Sequence, residues 1–137
     1  MLKAVNIQDA LAGLPVLHAR RPDTDADEAA AAFATLAETE NGGVFAGSFD
    51  GESPWERHNN GDELVQVLAG KTRLTVIGDD GPEVLELSAG MLAVVPRGCW
   101  HRFNAPDGVT VLTMTPQPTD HTTADNPVSD TFVPDTD

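Results

Sequence analysis

Two stretches of sequence decide the fold: residues 54–70, PWERHNNGDELVQVLAG, and residues 90–104, GMLAVVPRGCWHRFN. Each stretch contains a short run rich in apolar and β-branched residues bounded by Gly, Pro or Asn, which is typical of a β-strand. Each stretch also carries His or Glu side chains, which are common metal ligands. The two stretches therefore predict strands that present metal-binding groups.

Strand geometry places the metal-binding groups of the first stretch on one face. Alternate residues of a strand share a face, so Glu56 and His58 point in the same direction. The chain turns at residues 59–61 and resumes as a strand, in which an inward Glu63 leaves Asp62 facing outward. Glu56, His58 and Glu63 are therefore predicted to converge.

The second stretch places a histidine directly after a tight turn. Pro96 and Gly98 form that turn, and His101 begins the strand after it, where its imidazole can reach the rim of a barrel. The spacing of Gly90, Pro96, Gly98 and His101 resembles the second motif of the cupin family. In that motif the histidine is a metal ligand.

The first stretch resembles the first cupin motif in three features: His58, Glu63 after a gap of four residues, and the closing Gly70. The family commonly has His-x-His at the start of this motif, whereas this chain has Glu56 in the earlier position. The resemblance implies that His58, Glu63 and His101 bind a divalent metal ion, and that Glu56 takes the place of the remaining ligand.

Two roles for Glu56 follow from its chemistry. As a fourth ligand, it would complete a set of two carboxylates and two imidazoles, which favours Fe2+ or Mn2+ over softer ions. As a free carboxylate beside a site of two histidines and one carboxylate, it would suit general-base catalysis. Fe2+ is the favoured ion in either case, and Mn2+, Zn2+ and Ni2+ are alternatives.

The rest of the chain predicts an all-β fold with one N-terminal helix. Acidic residues precede an alanine-rich run, which indicates a helix over about 25–38. Residues 79–82 and 105–108 are predicted hairpin tips because they combine Gly, Pro and Asp. The predicted strands are 43–49, 55–58, 63–68, 73–77, 83–87, 91–95, 101–104 and 109–115.

These elements suggest three segments. Residues 1–41 form an N-terminal segment with the helix, residues 42–116 form the barrel, and residues 117–137 form an acidic, Pro-containing, extended tail. The resemblance implies that the barrel is a cupin double-stranded β-helix, which is a jelly roll. It also implies a homodimer, in which open strand edges are covered.

Composition excludes several classes of partner. Eight Lys and Arg against 22 Asp and Glu give a net charge of -14, which repels nucleic acid and anionic membranes. No apolar run approaches the roughly 18 residues of a membrane span. The single cysteine, Cys99, cannot form an intrachain disulfide, and the N-terminus lacks the apolar core of a signal peptide. We therefore expect a cytoplasmic protein.

The two remaining histidines and two arginines of the stretches are not assigned to the site. His18 and His121 lack ligand spacing around them and are assigned no role. Strand alternation turns Arg57 and Arg102 away from the cavity, towards surface ion pairs.

By resemblance, the expected function is that of a metal-dependent enzyme acting on a small organic molecule, with iron(II) dioxygenase chemistry as the leading reaction. A metal-dependent isomerase, decarboxylase or lyase is an alternative. A further alternative is a non-catalytic module that binds or senses a small molecule. The sequence does not identify the substrate, because a fold does not determine the chemistry of its site.

Overall fold

The computed structural model describes residues 2–128 and 135–136, and it is dominated by β-strands. Two six-residue helices lie in the N-terminal segment. The elements in chain order are α1 (Ile7–Ala12), β1 (Leu17–Arg20), α2 (Ala26–Ala31), β2 (Phe33–Thr39), β3 (Gly42–Glu52), β4 (Trp55–His58), β5 (Glu63–Gly78), β6 (Gly81–Ser88), β7 (Leu92–Val95), β8 (Trp100–Pro116), β9 (Thr119–Thr122) and β10 (Asp135–Thr136).

The long strand β8 organises the sheet. It pairs antiparallel with β3, with β5 and, near its start, with β4. Strand β5 also pairs with β6 and β7, and β4 also pairs with β9. These pairings form the predicted all-β jelly-roll barrel, whose interior is filled by apolar side chains. The buried core comprises Leu17, Ala32, Phe49, Val65, Val67, Leu74, Leu87, Val95, Phe103, Ala105, Val109 and Val111.

The predicted helix over 25–38 is only half right. Asp25 caps α2 by accepting hydrogen bonds from the backbone N–H groups of Asp27 and Glu28, which explains where the helix begins. From Phe33 onward the chain is instead strand β2, which pairs with β3 and buries Leu36. Pairing and burial in the sheet outweigh the helix preference of the alanines. The other helix, α1, was not predicted.

The predicted hairpin tip at 79–82 is confirmed, because β5 and β6 meet there with Gly78 opposite Gly81. The predicted tip at 105–108 is wrong. Strand β8 runs through it and stays paired with β3 on both sides. The extra residues form a bulge, with Pro106, which has no N–H to donate, inside it.

The predicted tail at 117–137 also contains structure. Strand β9 pairs with β4, and Thr119, Asp120 and Thr122 of that strand are buried. The backbone groups of β4 therefore have a partner that the acidic composition did not reveal. Residues 129–134 and 137, which belong to the rest of the predicted tail, lie outside the described residues.

Within the described ranges, no helix has the length and apolar character that crossing a membrane would require.

Candidate metal centre

Two turns hold the predicted metal-binding stretches against each other. The backbone N–H of Gly98 donates to the backbone carbonyl of His58 at 2.9 Å. The backbone N–H of Arg97 donates to Oδ1 of Asp62 at 2.8 Å, so the outward orientation predicted for Asp62 gives it a structural role. Gly98 has φ = +81°, which a residue with a side chain adopts only with strain. The Pro-x-Gly turn thus fixes the distance between β4 and β8.

Three of the predicted ligands meet inside the barrel. Nε2 of His101 lies 2.9 Å from Oε1 of Glu63, and Nε2 of His58 lies 3.4 Å from Oε2 of the same carboxylate. The two imidazole rings are 5.1 Å apart between centroids. All three side chains are buried, with exposed fractions of 5% or less. Their ligand atoms lie within 4.8 Å of one another, a spacing at which all three can hold one metal ion.

The outer nitrogen of each imidazole has a partner that fixes which nitrogen carries the proton. Nδ1 of His101 lies 3.1 Å from the backbone carbonyl of Cys99, which can only accept. Nδ1 of His58 lies 3.0 Å from Oγ1 of Thr119, whose single hydroxyl proton goes to Oε1 of Gln117. Both Nδ1 atoms therefore donate. In the neutral rings, both Nε2 atoms then direct lone pairs at Glu63.

Glu63 is oriented in the same way. Its Oε2 accepts a 2.6 Å hydrogen bond from Oγ1 of Thr115, which in turn lies 2.7 Å from Oγ1 of Thr113. Its Oε1 and the two Nε2 atoms are buried and have no hydrogen-bond partner in the described part of the chain. Acceptor atoms thus face acceptor atoms out of contact with water. A divalent cation satisfies this arrangement, and the donor set is one that binds such ions.

The charges at the centre agree with this need for a cation. Burial by itself would raise the pKa of Glu63, but contact with His101 and His58 outweighs burial and holds that pKa well below its ordinary value. Burial would lower the pKa of His101, yet the nearby carboxylates of Glu63 and Glu56 raise it. Positive charge is therefore favoured between these side chains, whether a metal ion or protons supply it.

Glu56 lies on the same inward face as His58, as strand alternation predicts. Strand β4 runs between β8 and β9, and Glu56 is in register with His101 on one side and His121 on the other. Oε2 of Glu56 lies 3.3 Å from Nε2 of His121. Burial acts to raise the pKa of Glu56, but His121, Arg20 and His101 together lower it. Glu56 is therefore a carboxylate beside the three ligands, and the 4.8 Å ligand group does not include it.

The ligands open onto a cavity of about 670 Å3 between the barrel and the N-terminal segment. His58, Glu63 and Glu56 lie on its wall, and α2 borders it on the opposite side. Four phenylalanines supply most of its aromatic surface. They are Phe33, Phe45, Phe49 and Phe103.

Four charged or titratable residues of this cavity were not predicted from the sequence: Arg20, Arg21, Asp23 and His121. His121 was assigned no role because it lacks ligand spacing around it, and strand β9, which carries it, was not predicted. Arg20 also lines the cavity, although no helix or strand was predicted in its segment. The four residues of β9 show no alternation of apolar and polar residues, so the sequence carries no signal for His121.

Comparisons with known proteins agree with this structure. Residues 49–115 match the family model described as the cupin domain. Comparison with curated proteins finds no match. Among solved structures of similar fold is a hydroquinone 1,2-dioxygenase in complex with Cd2+ and 4-hydroxybenzonitrile, with 20% identity, a TM-score of 0.53, and coverage of 61% of this chain and 62% of that chain. This chain therefore spans less than two thirds of that dioxygenase chain.

Two further solved structures share the fold. One is hydroquinone 1,2-dioxygenase from Sphingomonas sp. TTNP3 with 4-hydroxybenzoate bound, with 15% identity, a TM-score of 0.57, and coverage of 82% of this chain and 73% of that chain. The other is a cupin-2 domain containing protein from Shewanella frigidimarina NCIMB 400, with 25% identity, a TM-score of 0.51, and coverage of 62% of this chain and 79% of that chain.

Proposed function

We propose that this chain, whose residues 49–115 match the cupin domain model, is a metal-dependent enzyme acting on a small organic molecule. The observation that carries this proposal is the set of three buried acceptor atoms on His58, Glu63 and His101, which have no partner among the described residues. A single divalent cation can satisfy all three at once. The cavity in front of them provides room for a small substrate.

The reaction we favour is an iron(II)-dependent oxidation of the dioxygenase type. Two histidines and one carboxylate form the donor set of non-haem iron oxygenases, and a bound ion would supply open coordination positions and redox chemistry. The same donors also bind Mn2+, Zn2+ and Ni2+, which remain alternatives to Fe2+. The hydroquinone dioxygenases of similar fold are consistent with this choice, although likeness at such identity concerns the fold alone.

We assign Glu56 to proton transfer rather than to the fourth ligand position. Its carboxylate faces the cavity and contacts His121. A carboxylate next to an imidazole can accept a proton from a substrate and pass it to the ring. The same pair favours a second candidate function, a metal-dependent isomerase, decarboxylase or lyase, because such reactions also need a positioned base.

Metal content and oxygen uptake test these functions together. The purified chain is freed of metal, loaded with Fe2+, Mn2+, Zn2+ or Ni2+, and assayed for metal stoichiometry and for oxygen consumption with diketones, thiols, catechols and sugar acids. We expect about one ion per chain, and oxygen uptake only with Fe2+. His101→Ala should lose the ion, whereas His18→Ala, which alters an exposed histidine, should retain it.

The other results distinguish the alternatives. Substrate turnover without oxygen uptake would indicate an isomerase, decarboxylase or lyase. A bound ion without any turnover would indicate a binding module. Failure of the wild-type chain to retain any of the four ions would contradict the metal centre itself.

We further propose that the chain forms a homodimer through the outer face of the sheet around β7. Leu92 and Val94 of this strand and Met114 of β8 are exposed, with exposed fractions of 45–56%. Leu64 pairs with both Val94 and Met114, which places these side chains on one continuous face. An apolar patch of this kind is typical of an interface. Light scattering should give a dimer mass for wild type and a monomer mass for Val94→Glu.

A further inference from the structure

Arg20 is a half-buried cation that has no hydrogen-bonded anion among the described residues, and the carboxylate of Glu56 acts on its charge only through space. Its guanidinium lies over the ring of Phe49, 4.7 Å from the centroid, and 5.9 Å from the centroid of Phe33. Its Nε atom is out of solvent and has no hydrogen-bond partner among the described residues. A buried arginine normally has a carboxylate partner, since removing a guanidinium from water is unfavourable. Arg20 lines the same cavity as the metal ligands.

The local backbone is shaped to turn Arg20 inward. Strict alternation from the buried Leu17 would direct Arg20 outward, but Ala19 has φ = +52°, which reverses the face of the next residue. On the outside, Asp50 accepts hydrogen bonds from the backbone N–H of Ala19 at 2.6 Å and from Nδ1 of His18 at 2.7 Å. Such bulges re-aim side chains, and strained residues are concentrated at functional sites.

Close approach of the backbones holds Arg20 in place. Arg20 pairs with Gly51 of β3, where φ is +100°. A Cβ atom at Gly51 would lie about 2.2 Å from the carbonyl oxygen of Arg20, so only glycine fits there. The backbone at Arg20 is therefore fixed before any ligand enters, which lowers the entropy lost on binding.

An apolar wall separates Arg20 from the metal centre. The rings of Phe49 and Phe103 are 5.9 Å apart and meet edge to face, and Phe103 meets His101 in the same way at 6.4 Å. A molecule in the cavity between Arg20 and the His58–Glu63 pair would thus present a charged group at one end and an apolar body along the phenylalanines. With a divalent ion bound, the charges of the ion, Arg20, Glu56 and Glu63 sum to one positive charge, which a monoanion would neutralise.

We propose that Arg20 selects the charge of the substrate by binding the carboxylate of a small organic monoanion whose apolar body packs against Phe49 and Phe103. The guanidinium fork matches a carboxylate and has a higher affinity for it than for a neutral amide or alcohol. This inference rests on the proposed function only in that the same cavity holds the substrate. It makes Arg20 a specificity-determining residue from outside both metal-binding motifs.

Calorimetric titration with benzoate and with benzamide, its neutral counterpart of similar shape, tests this assignment. Wild type, Arg20→Gln, Arg20→Lys and Arg73→Gln are titrated both metal-free and loaded with Zn2+, which does not support oxygen chemistry. Arg73 serves as a matched control because it is exposed and pairs with Glu86 on the β5–β6 hairpin. Circular dichroism establishes that each variant is folded.

We expect wild type to bind benzoate at least about tenfold more tightly than benzamide. Arg20→Gln should lose about tenfold or more of the benzoate affinity and change the benzamide affinity by less than about twofold. Arg20→Lys should fall between them, because a point charge cannot form the paired hydrogen bonds. Arg73→Gln should match wild type.

Three results would overturn the assignment: equal affinity of wild type for the two probes, no saturable benzoate binding by wild type, or full benzoate affinity in Arg20→Gln. If Arg20→Gln does not fold, the wild-type preference and Arg20→Lys still decide the outcome. If the chain retains no metal but still prefers benzoate, the proposed function is refuted and the role of Arg20 is supported. If the chain shows metal-dependent turnover but no preference for benzoate, the proposed function is supported and the role of Arg20 is refuted.

Discussion

The outer and inner faces of strands β4 and β8 differ in whether their charged and titratable side chains find partners within the chain. On the outer face, Arg57 donates to Asp120 from Nε at 3.0 Å and from Nη2 at 2.7 Å, and its guanidinium lies 4.5 Å from the Trp100 ring. On the inner face, the Nε2 atoms of His58 and His101 meet a carboxylate and have no donor among the described residues. On the outer face the charged groups are paired within the chain, whereas the inner face requires something to be bound.

The difference indicates where the fold is stabilised and where it functions. The outer pattern is repeated by Arg102, which lies over Trp55 at 4.5 Å and faces Glu52 at 3.8 Å. The predicted outward orientation of Arg57 and Arg102 is thereby confirmed. Unsatisfied buried groups lower stability, and proteins retain them mainly where a ligand completes them. Changes on the inner face should therefore alter binding, and changes on the outer face should alter stability.

The largest expected effect comes from the metal ion. Saturating Zn2+ should raise the thermal midpoint of wild type by on the order of 10 °C relative to chelator-treated protein, because the ion binds only the folded chain. Glu63→Gln should abolish that increase. The metal-free variant should melt no lower than metal-free wild type, since the amide N–H can donate to an imidazole. Differential scanning fluorimetry with and without chelator measures both quantities.

The matched control is Glu86→Gln, which alters an exposed carboxylate of an ion pair. It should keep the full metal-dependent increase. If Zn2+ raised the thermal midpoint of Glu63→Gln as much as that of wild type, Glu63 would not be a metal ligand, and the proposed difference between the inner and outer faces would be wrong.

The next effect concerns the role of Glu56. Glu56→Gln should lower the turnover number by about 100-fold or more, because a general base contributes that much, while metal stoichiometry stays near one. Turnover is measured with the best substrate of the oxygen-uptake screen, and metal content by mass spectrometry of the dialysed protein. Glu52→Gln, on the outward side of β3, is the control. Loss of the ion from Glu56→Gln would instead identify Glu56 as a ligand.

The sequence could predict the inner face of β4 because its signals are local. Alternation and motif spacing depend on neighbouring residues, so the convergence of His58, Glu63 and His101 followed from a few tens of positions. Arg20 and His121 were not predictable by the same means. Arg20 faces inward only because of the left-handed conformation at Ala19, and His121 reaches the cavity only because of pairing between β9 and β4.

The same limit explains the errors in the fold. The alanine-rich helix ends at Ala31 because Phe33 and the residues after it pair with β3, and such long-range pairing overrides local preference. Residues 105–108 have the composition of a turn. They form a bulge instead, because β8 pairs with β3 both before and after them. Local composition predicts which residues disturb a strand, but not whether the chain reverses there.

A smaller effect is expected on the outer face. Arg57→Ala removes the cation beside Asp120, whose side chain is only 11% exposed. We expect a loss of about 2 kcal/mol in the free energy of unfolding, because the carboxylate stays largely buried. Metal affinity should be unchanged. Urea denaturation of metal-free protein measures the first quantity, and Arg73→Ala, which breaks an exposed ion pair, should lose less than about 0.5 kcal/mol.

The smallest effect tests the outer support of Arg20. The hydrogen bond from the backbone of Ala19, and then that from His18, lower the pKa of Asp50. Because the folded-state pKa lies below the unfolded value of about 3.9, the carboxylate stabilises the fold above that pH and loses this contribution as pH falls. Asp50→Asn should thus be slightly less stable than wild type at pH 7, with the difference shrinking as pH falls towards 3.

Urea denaturation across that pH range measures the difference, and benzoate titration at pH 7 shows whether the bulge has moved. A loosened Ala19 should reduce benzoate affinity by a few fold, less than Arg20→Gln does, because the guanidinium remains but is less well fixed. A stability difference that grew towards low pH would mean that Asp50 does not support the fold as a carboxylate. Benzoate binding by Arg20 would then not depend on the contact of Asp50 with Ala19 and His18.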